Sequence, residues 1–309
     1  MLSLFKSLAD NTRLRLIAIL DQGEFTVQEL VEILVMGQSR VSRHLKILAE
    51  AGVVSVKREG TWGYYRLDPS NQLFRDLLPL LREQFAGLDG AQVDAANMTE
   101  VMAERRQRSQ LFFEQHASDW DHLVHLLLPT PDYQVPMIEA LDCCAVLVEI
   151  GVGTGRLLPV LSRKAQRVIG IDHAPAMLQA ARERVAESCL LNVELRLGEM
   201  EHLPLESAAV DVALLNMVLH HAASPEEVLH EVARVLRPGG RLMVVDLFQH
   251  QQEWAREKLA DQWLGFAGDE LIQWCRNAGF VEPDYSIIEA DDDQYSVLQL
   301  NATKPKLKE

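Results

Sequence analysis

Apolar residues recur at helical spacing from the start of the chain: Leu4, Phe5, Leu8, Leu14, Ile17, Ala18 and Leu20, with Asp10-Asn11-Thr12 interrupting the stripe. Asp10 or Asn11 can cap a restarted helix there, and Asp21-Gln22-Gly23 stops it. Thr26 precedes a helix over 27–34 and Glu29 follows three residues on, a capping box. Met36-Gly37 turns the chain into a second helix over about 38–51, with Val41, Leu45 and Leu48 inward and Gly52 as its stop. Strands are expected at 53–56 and 64–67, around Lys57-Arg58-Glu59-Gly60-Thr61-Trp62-Gly63. Residues 88–97 are small and polar and read as a domain boundary. A helix over 99–116 follows, either a solvated linker or an element that transmits motion between domains. Phe112, Phe113, Trp120 and Leu123 then supply an apolar face.

Beyond 140 the pattern changes to alternating strands and helices. Apolar runs at 145–150, 168–172, 193–197, 210–215 and 241–246 read as strands. Helices to about 164, at 175–187 and at 225–236 separate them. This predicts an α/β fold with a doubly wound parallel sheet. The expected domains are 1–97 and 98–309.

Length agrees, since 309 residues at ~150 per domain give two. The net charge of −15 argues against a protein that coats nucleic acid. The charge is uneven, however. Residues 1–97 hold 11 basic and 12 acidic side chains, and the remainder holds 19 and 33. Residues 37–66 contain six basic groups against Glu50 and Glu59 alone. Four cysteines, at 143, 144, 189 and 275, make no disulfide framework, and no apolar run is long enough for a membrane span. No signal peptide is recognisable. A cytoplasmic protein without membrane association is expected.

Two short helices with a tight turn between them, the second polar and basic at its N-terminal end, form a helix-turn-helix pattern. Its outer face presents Gln38, Ser39, Arg40, Ser42, Arg43 and Lys46, and the hairpin adds Lys57 and Arg58. Arg and Lys suit guanine edges, while Ser, Gln and a helix N-terminus suit phosphates. LFKSLADNTRLRLIAIL and QSRVSRHLKILAEAGVVSVKREGTWGYYRL resemble the ArsR family of winged-helix repressors over residues 2–86. The resemblance implies a homodimer, paired through 2–20 and 71–86, on double-stranded operator DNA with an inverted repeat. It departs from the metal-sensing members: 29–35 carry no Cys pair and 71–86 no His. No metal is expected as the signal.

In the second half, Gly151-Val152-Gly153-Thr154-Gly155 follows a strand directly, where missing Cβ atoms let a ligand approach. Asp172 ends the next strand and can accept ribose hydroxyls. Arg156 replaces the third glycine of a dinucleotide fingerprint and is expected to crowd helix–strand packing. Glu149 suits an ammonium and repels a pyrophosphate. These features favour a nucleoside bearing an amino acid over NAD. VLVEIGVGTGRLL, VIGIDHAPAML, LGEMEHLPL, ALLNMVLHH and RVLRPGGRLMVVD resemble, in order, the motifs of class I S-adenosylmethionine-dependent methyltransferases. The resemblance implies a Rossmann-like domain with a last helix at 270–280 and closing antiparallel strands at 285–290 and 295–302. It also implies that Gly151, Gly153 and Gly155 line the methionine moiety and Asp172 holds the ribose. His173, Glu199 and Met200 would contact the adenine, and Asn216 would stand at the mouth of the site.

His220-His221 is read as structural or ligand-packing, Cys143-Cys144 as core, Trp254, Trp263 and Trp274 as core or cover, and residues 291–293 as a hairpin turn. No catalytic residue and no metal ligand is assigned. The order of modules resembles the S-adenosylhomocysteine-responsive repressors of the methionine cycle. That implies a regulator whose effector is S-adenosylhomocysteine or S-adenosylmethionine. The alternative is an active small-molecule methyltransferase tethered to a DNA-binding domain. A DNA or protein methyltransferase is disfavoured, because Asn216-Met217-Val218-Leu219 offers no base pocket.

Overall fold

A computed structural model describes residues 1–59, 62–68, 70–127, 130–290 and 295–306. The expected wing tip at 60–61 and the turn at 291–293 lie outside the described residues. The chain divides into two compact units, Met1–Arg106 and Gln107–Glu309.

The first unit opens with α1 (Leu2–Leu8) and α2 (Asn11–Leu20). The interruption between them is a cap, in which the Asp10 carboxylate accepts from the Arg13 N–H. Strand β1 (Phe25–Thr26) leads into α3 (Val27–Leu34), and both halves of the Thr26–Glu29 capping box are formed. Then come α4 (Gln38–Glu50), β2 (Val54–Glu59), β3 (Trp62–Leu67) and α5 (Gln72–Phe85). The strands form an antiparallel sheet in the order β1-β3-β2, with Lys57 opposite Tyr64. Leu16, Ile17, Phe25, Leu30, Ile33, Val41, Leu45 and Leu48 are its buried core.

Helix α6 (Ala91–His116) begins inside the segment read as a linker. Residues 91–97 hold three alanines, good helix formers, and they are tied to the first unit. Asp94 takes a two-pronged bond from Arg15 at 2.5 and 2.6 Å, and Asn97 donates to the Ile33 carbonyl at 2.8 Å. Compositional polarity here marked buried pairing and not solvent.

The second unit adds α7 (Trp120–Leu127), α8 (Gln134–Ala140), β4 (Cys144–Ile150), α9 (Leu158–Leu161), β5 (Ala165–Asp172), α10 (Pro175–Glu187) and β6 (Val193–Leu197). It continues with β7 (Val210–Asn216), a 3-10 turn at Leu219–His221, α11 (Pro225–Val235), β8 (Leu236–Leu247) and α12 (Trp254–Lys258). It ends with α13 (Gly268–Asn277), β9 (Val281–Ile288) and β10 (Val297–Thr303). The seven-stranded sheet runs β6-β5-β4-β7-β8-β10-β9. Its first five strands are parallel, and β10 is antiparallel to both neighbours. The fold is a mostly parallel, doubly wound α/β sheet joined to an N-terminal winged helix-turn-helix unit. Chain order reverses between β4 and β7, and a crevice opens at the carboxyl ends of strands at such a point.

Three local expectations differ. The regular helix after the glycine loop stops at Leu161 and continues as a turn, with the Arg163 and Lys164 N–H groups donating to the Val160 and Leu161 carbonyls, and the Asn192 side chain donates to the Ser162 and Ala165 carbonyls beyond it. Strand β8 starts at Leu236, with a register irregularity that takes in Pro238. Cys143 precedes the strand and is exposed, while half-buried Cys144 has its thiol pushed up to about 11 by burial and by Asp211. Only Cys275 is core. Trp263 and Trp274 are buried, as expected of core.

Candidate functional site

In the first unit, α4 buries Val41, Leu45 and Leu48 and turns the opposite face outward. Gln38, Ser39, Arg40, Arg43 and Lys46 are exposed and Ser42 is half-buried. Among the described residues no side chain caps the N-terminus of α4, whose N-cap is Gly37, and a helix N-terminus left uncapped suits an anion. On β2, Arg58 is exposed and Lys57 half-buried.

In the second unit, the crevice between β4 and β7 is an open cleft. Among the predicted residues, Glu149, Gly151, Gly153 and Asn216 line it. Gly153 has φ +53°, and a Cβ there would meet nothing within 4 Å, so this residue faces the open cleft. Gly155, with φ +77°, is the close-packing position: a Cβ would lie 2.8 Å from Leu158 and 3.2 Å from Ala181. Arg156, expected to crowd that packing, is exposed and lines the cleft instead. The tight contact belongs to the residue before it.

Glu149 is 3% exposed, and its Oε2 has no hydrogen-bond partner among the described residues. Burial, reinforced by nearby Asp172, pushes its carboxyl up to about 8. Asn216 Oδ1 is likewise buried without a hydrogen-bond partner among the described residues. The two orphaned acceptors stand at the ends of adjacent strands in one cleft, an arrangement that suits a cationic, hydrogen-bond-donating ligand.

Gly155, Asp172, His173, Glu199 and Met200 do not line the cleft. The buried Asp172 carboxylate accepts from the Gly153 N–H at 2.8 Å and the Ala174 N–H at 2.9 Å. It therefore fixes the glycine loop, and burial raises its pKa. The His173 N–H also bonds it, and a carboxylate with about four acceptor sites still has room for a hydroxyl. Phe113 and Ala117 of the preceding segment pack with Ala174 and Met177, and the Phe113 ring meets His173 edge-on at 5.8 Å and His221 at 4.8 Å. Met200 is buried and Glu199 exposed.

Sequence reasoning missed the other walls. Trp120, Asp121 and Val124 of α7 line the cleft, with Tyr133, Gln134, Leu259 and Asp261. Asp121 bridges the loop to α10, accepting from Thr154 at 2.7 Å and Arg184 at 2.9 Å. The amphipathic spacing of 120–127 was a usable signal for α7. Nothing local distinguishes Asp261.

His220 and His221 also line the cleft and are buried. His220 Nδ1 lies 2.5 Å from Asp246, whose second oxygen accepts from the Leu219 and His220 N–H groups. Burial opposes charge on His220, but Asp246 and Asp261 outweigh it and push its pKa up to about 9. Burial and His220 hold His221 well below the usual imidazole range. No helix of the described residues is long and apolar enough to cross a membrane.

Residues 10–56 match the family described as bacterial regulatory protein, arsR family, and residues 148–244 match a methyltransferase domain family. Over 82 residues, 26% of this chain, an arsenite methyltransferase of Halobacterium salinarum is 45% identical, across 21% of its own length. A malonyl-[acyl-carrier protein] O-methyltransferase of Serratia marcescens is 33% identical over 41% of this chain and 46% of its own length. An uncharacterized 37.1 kDa protein in transposon TN4556 of Streptomyces fradiae is 40% identical over 36% of this chain and 33% of its own length. The chain thus spans less than half the length of these curated relatives. Among solved structures, the [4+2]-cyclase SpnF superposes with a TM-score of 0.53 at 18% identity, over 64% of this chain and 97% of that one. A SAM-dependent methyltransferase of Thermotoga maritima does so at 0.50 and 24% identity, over 62% and 98%. At these identities the superpositions speak for the fold alone. One chain thus carries a segment that matches the arsR family and a segment that matches a methyltransferase domain family.

Proposed function

We propose that the chain is a cytoplasmic, homodimeric transcription repressor that reads an inverted-repeat operator through α4 and the wing. Its effector is S-adenosylhomocysteine or S-adenosylmethionine, bound by the second unit. In this reading Glu149 and Asn216 take the amino-acid end of the ligand and Gly151, Gly153 and Gly155 its thioether. Asp172 takes the ribose, and His173, Glu199 and Met200 the adenine. Gln38, Ser39, Arg40, Ser42, Arg43, Lys46, Lys57 and Arg58 face DNA. Dimerisation is supported by α5, which carries five leucines and two phenylalanines yet buries Phe74 alone, leaving Leu73 and Leu80 exposed, as are Leu2 and Phe5 of α1.

The observation that carries the reading is the course of α6. Its first part is pinned within the reader by the Arg15–Asp94 and Arg105–Glu29 pairs. Its last turns put Phe113 against His173 and Ala174, beside the ribose carboxylate. A nucleoside entering there must displace or reorder that aromatic packing. A ligand shifts an equilibrium only by its unequal affinity for the two states, and a helix shared by both units gives such a difference a route to the reader. S-adenosylhomocysteine is favoured as the effector, because a cell gains by sensing the inhibitory product of methylation. The genes controlled would then be those of the methionine cycle. It is expected to weaken operator binding about 5–150-fold, the range of common allosteric couplings. Anisotropy titration of labelled operator with each nucleoside tests this. Equal operator affinity with and without saturating amounts of both refutes the sensor.

One observation favours a second reading, a tethered methyltransferase. The cleft extends past the orphaned Glu149 to Trp120, Val124 and Leu259, an apolar wall suited to a small acceptor. Proximity alone accelerates such transfers. Methyl transfer to a small acceptor, with operator affinity indifferent to both nucleosides, decides for that reading.

A further inference from the structure

We propose that His220, His221 and Asp261 bind one first-row divalent metal ion of the zinc or ferrous class inside the cleft. Their exposures are 2%, 4% and 3%, and their donor atoms all lie within 4.8 Å of one another. His220 Nε2 and His221 Nδ1 each stand 3.7 Å from Asp261 Oδ1. That is too long for a hydrogen bond. It is close to the spacing of about 3.3 Å between ligand atoms of a tetrahedral ion with bonds of ~2.0–2.1 Å.

The need for a cation is written on Asp261. Neither carboxylate oxygen has a hydrogen-bond partner among the described residues, although both are buried. A buried carboxylate in that condition is costly unless a charge meets it. His220 Nε2, 3.7 Å away, attracts it without reaching hydrogen-bond distance, and the short contact of the ring, through Nδ1, is with Asp246 at 2.5 Å. That bond does something else: it fixes the ring with Nδ1 on Asp246 and Nε2 turned toward Asp261, where an incoming ion takes the place of the Nε2 proton. A carboxylate behind a histidine in this way orients it as a metal ligand and raises its basicity. His221 Nδ1 also has a 3.3 Å contact with the Ala260 carbonyl, which an ion bound through Nδ1 displaces.

The backbone fixes the three residues together. The Gln262 and Trp263 N–H groups both donate to the His220 carbonyl at 3.0 Å. The Gln262 side chain donates to the His221 carbonyl at 2.9 Å, and the Trp263 indole to the Ala222 carbonyl at 2.9 Å. The segment bearing Asp261 is thus clamped onto the 3-10 turn bearing the histidines. Two imidazoles and a carboxylate suit zinc or ferrous iron, whereas magnesium and calcium favour oxygen alone and cuprous copper favours sulfur. All three residues line the cleft, so further coordination positions face its contents. The site is independent of the nucleoside reading, and it lies outside the reader unit, whose sequence offers no metal-sensing set.

The test uses the full chain, stripped with chelator and titrated with Co2+ alone, followed by displacement with Zn2+. One ion per chain is expected, with visible ligand-field bands that zinc abolishes. Asp261→Asn, nearly isosteric, is expected to weaken binding by at least about tenfold, with circular dichroism unchanged. His221→Gln is a second variant, to be used if Asp261→Asn fails to fold. Absence of saturable uptake by the wild-type chain, or wild-type affinity in a folded variant, overturns the proposal.

Discussion

The two units treat buried charge in opposite ways. In the reader, Asp94 and Arg105 are buried, and each meets an opposite charge: Arg15 grips Asp94 with two bonds, and Arg105 reaches Glu29 at 2.7 Å. Glu29 at the same time accepts from the Thr26 N–H, so one carboxylate serves the capping box and α6 together. In the cleft of the second unit, Glu149 and Asp261 are as deeply buried and have orphaned oxygens. Charges paired within the chain hold elements in place. Carboxyl groups left without a partner raise the energy of the free protein and become favourable only when something else arrives. The reader is therefore built to persist, and the cleft is built to be filled.

The most forceful way to break this comparison is to remove one charge from each class. Arg15→Ala strands Asp94 and is expected to cost the reader about 3–5 kcal/mol, the usual penalty for half a buried pair. Glu149→Gln replaces a carboxyl that the free chain holds largely protonated at pH 7 and is expected to cost no stability there. The pH dependence has a definite sign. Glu149 has a folded pKa of about 8 against an ordinary 4.5. Between those values the unfolded chain has lost the proton and the folded chain keeps it, so this group lowers stability as pH rises, and the effect levels off above 8. Denaturant unfolding across pH 5–9 should show the decline in the wild type and its loss in the Gln variant. A Glu149→Gln variant as destabilised as Arg15→Ala erases the distinction.

Two binding predictions sharpen the contrast. Arg43→Ala removes an exposed side chain from α4 without touching the Val41, Leu45 and Leu48 core. It is expected to weaken operator retention about 5–150-fold, from ~1–3 kcal/mol per arginine–guanine contact, with nucleoside affinity unchanged. Wild-type gel shifts from this variant and from Lys57→Ala would misassign the reading face. Asp172→Asn keeps one acceptor and loses the charge. Charge-assisted bonds are worth ~1.5–3 kcal/mol, so calorimetry with S-adenosylhomocysteine should show binding weakened at least about tenfold. Unchanged affinity removes Asp172 from the ribose.

Wherever local rules decide, the chain was readable. Helix α10 and strand β6 fall where Pro175 at a first helical turn and the apolar run from Val193 predict them. The Asp10 and Thr26 caps form as their spacing requires. What escaped was set by partners distant in sequence. The start of α6 depends on Arg15, 79 positions from Asp94. The turn after α9 is tied to Asn192, 30 positions from Ser162. The cleft divides the same way. Glu149, Gly151, Gly153 and Asn216 could be read because strand ends and glycines announce themselves. Asp261 could not, because the backbone bonds from Gln262 and Trp263 that bring it to His220 have no local signature.

The subtlest consequence is a proton. At pH 7 the free chain holds Glu149 largely protonated, since its carboxyl has been pushed up to about 8. A ligand ammonium beside it replaces the missing counter-charge, lowers that pKa and expels the proton. Binding of S-adenosylhomocysteine should then release close to one proton at pH 7 and none at pH 9, where Glu149 is already ionised. The released fraction appears as a dependence of calorimetric enthalpy on the ionisation heat of the buffer. Asp172 on β5 is the charge that reinforces the shift, and Asp121, Tyr133, Arg156, His220, His221 and Asp261 line the same cleft. Glu149→Gln is thus the control that subtracts their share. It should bind with no proton release attributable to this position and with an affinity that varies less with pH. Full release by the Gln variant would transfer the effect to another group. Tight binding by the wild type without release would place the ammonium away from Glu149, and the orphaned carboxylate would then lose its claim to be a ligand group.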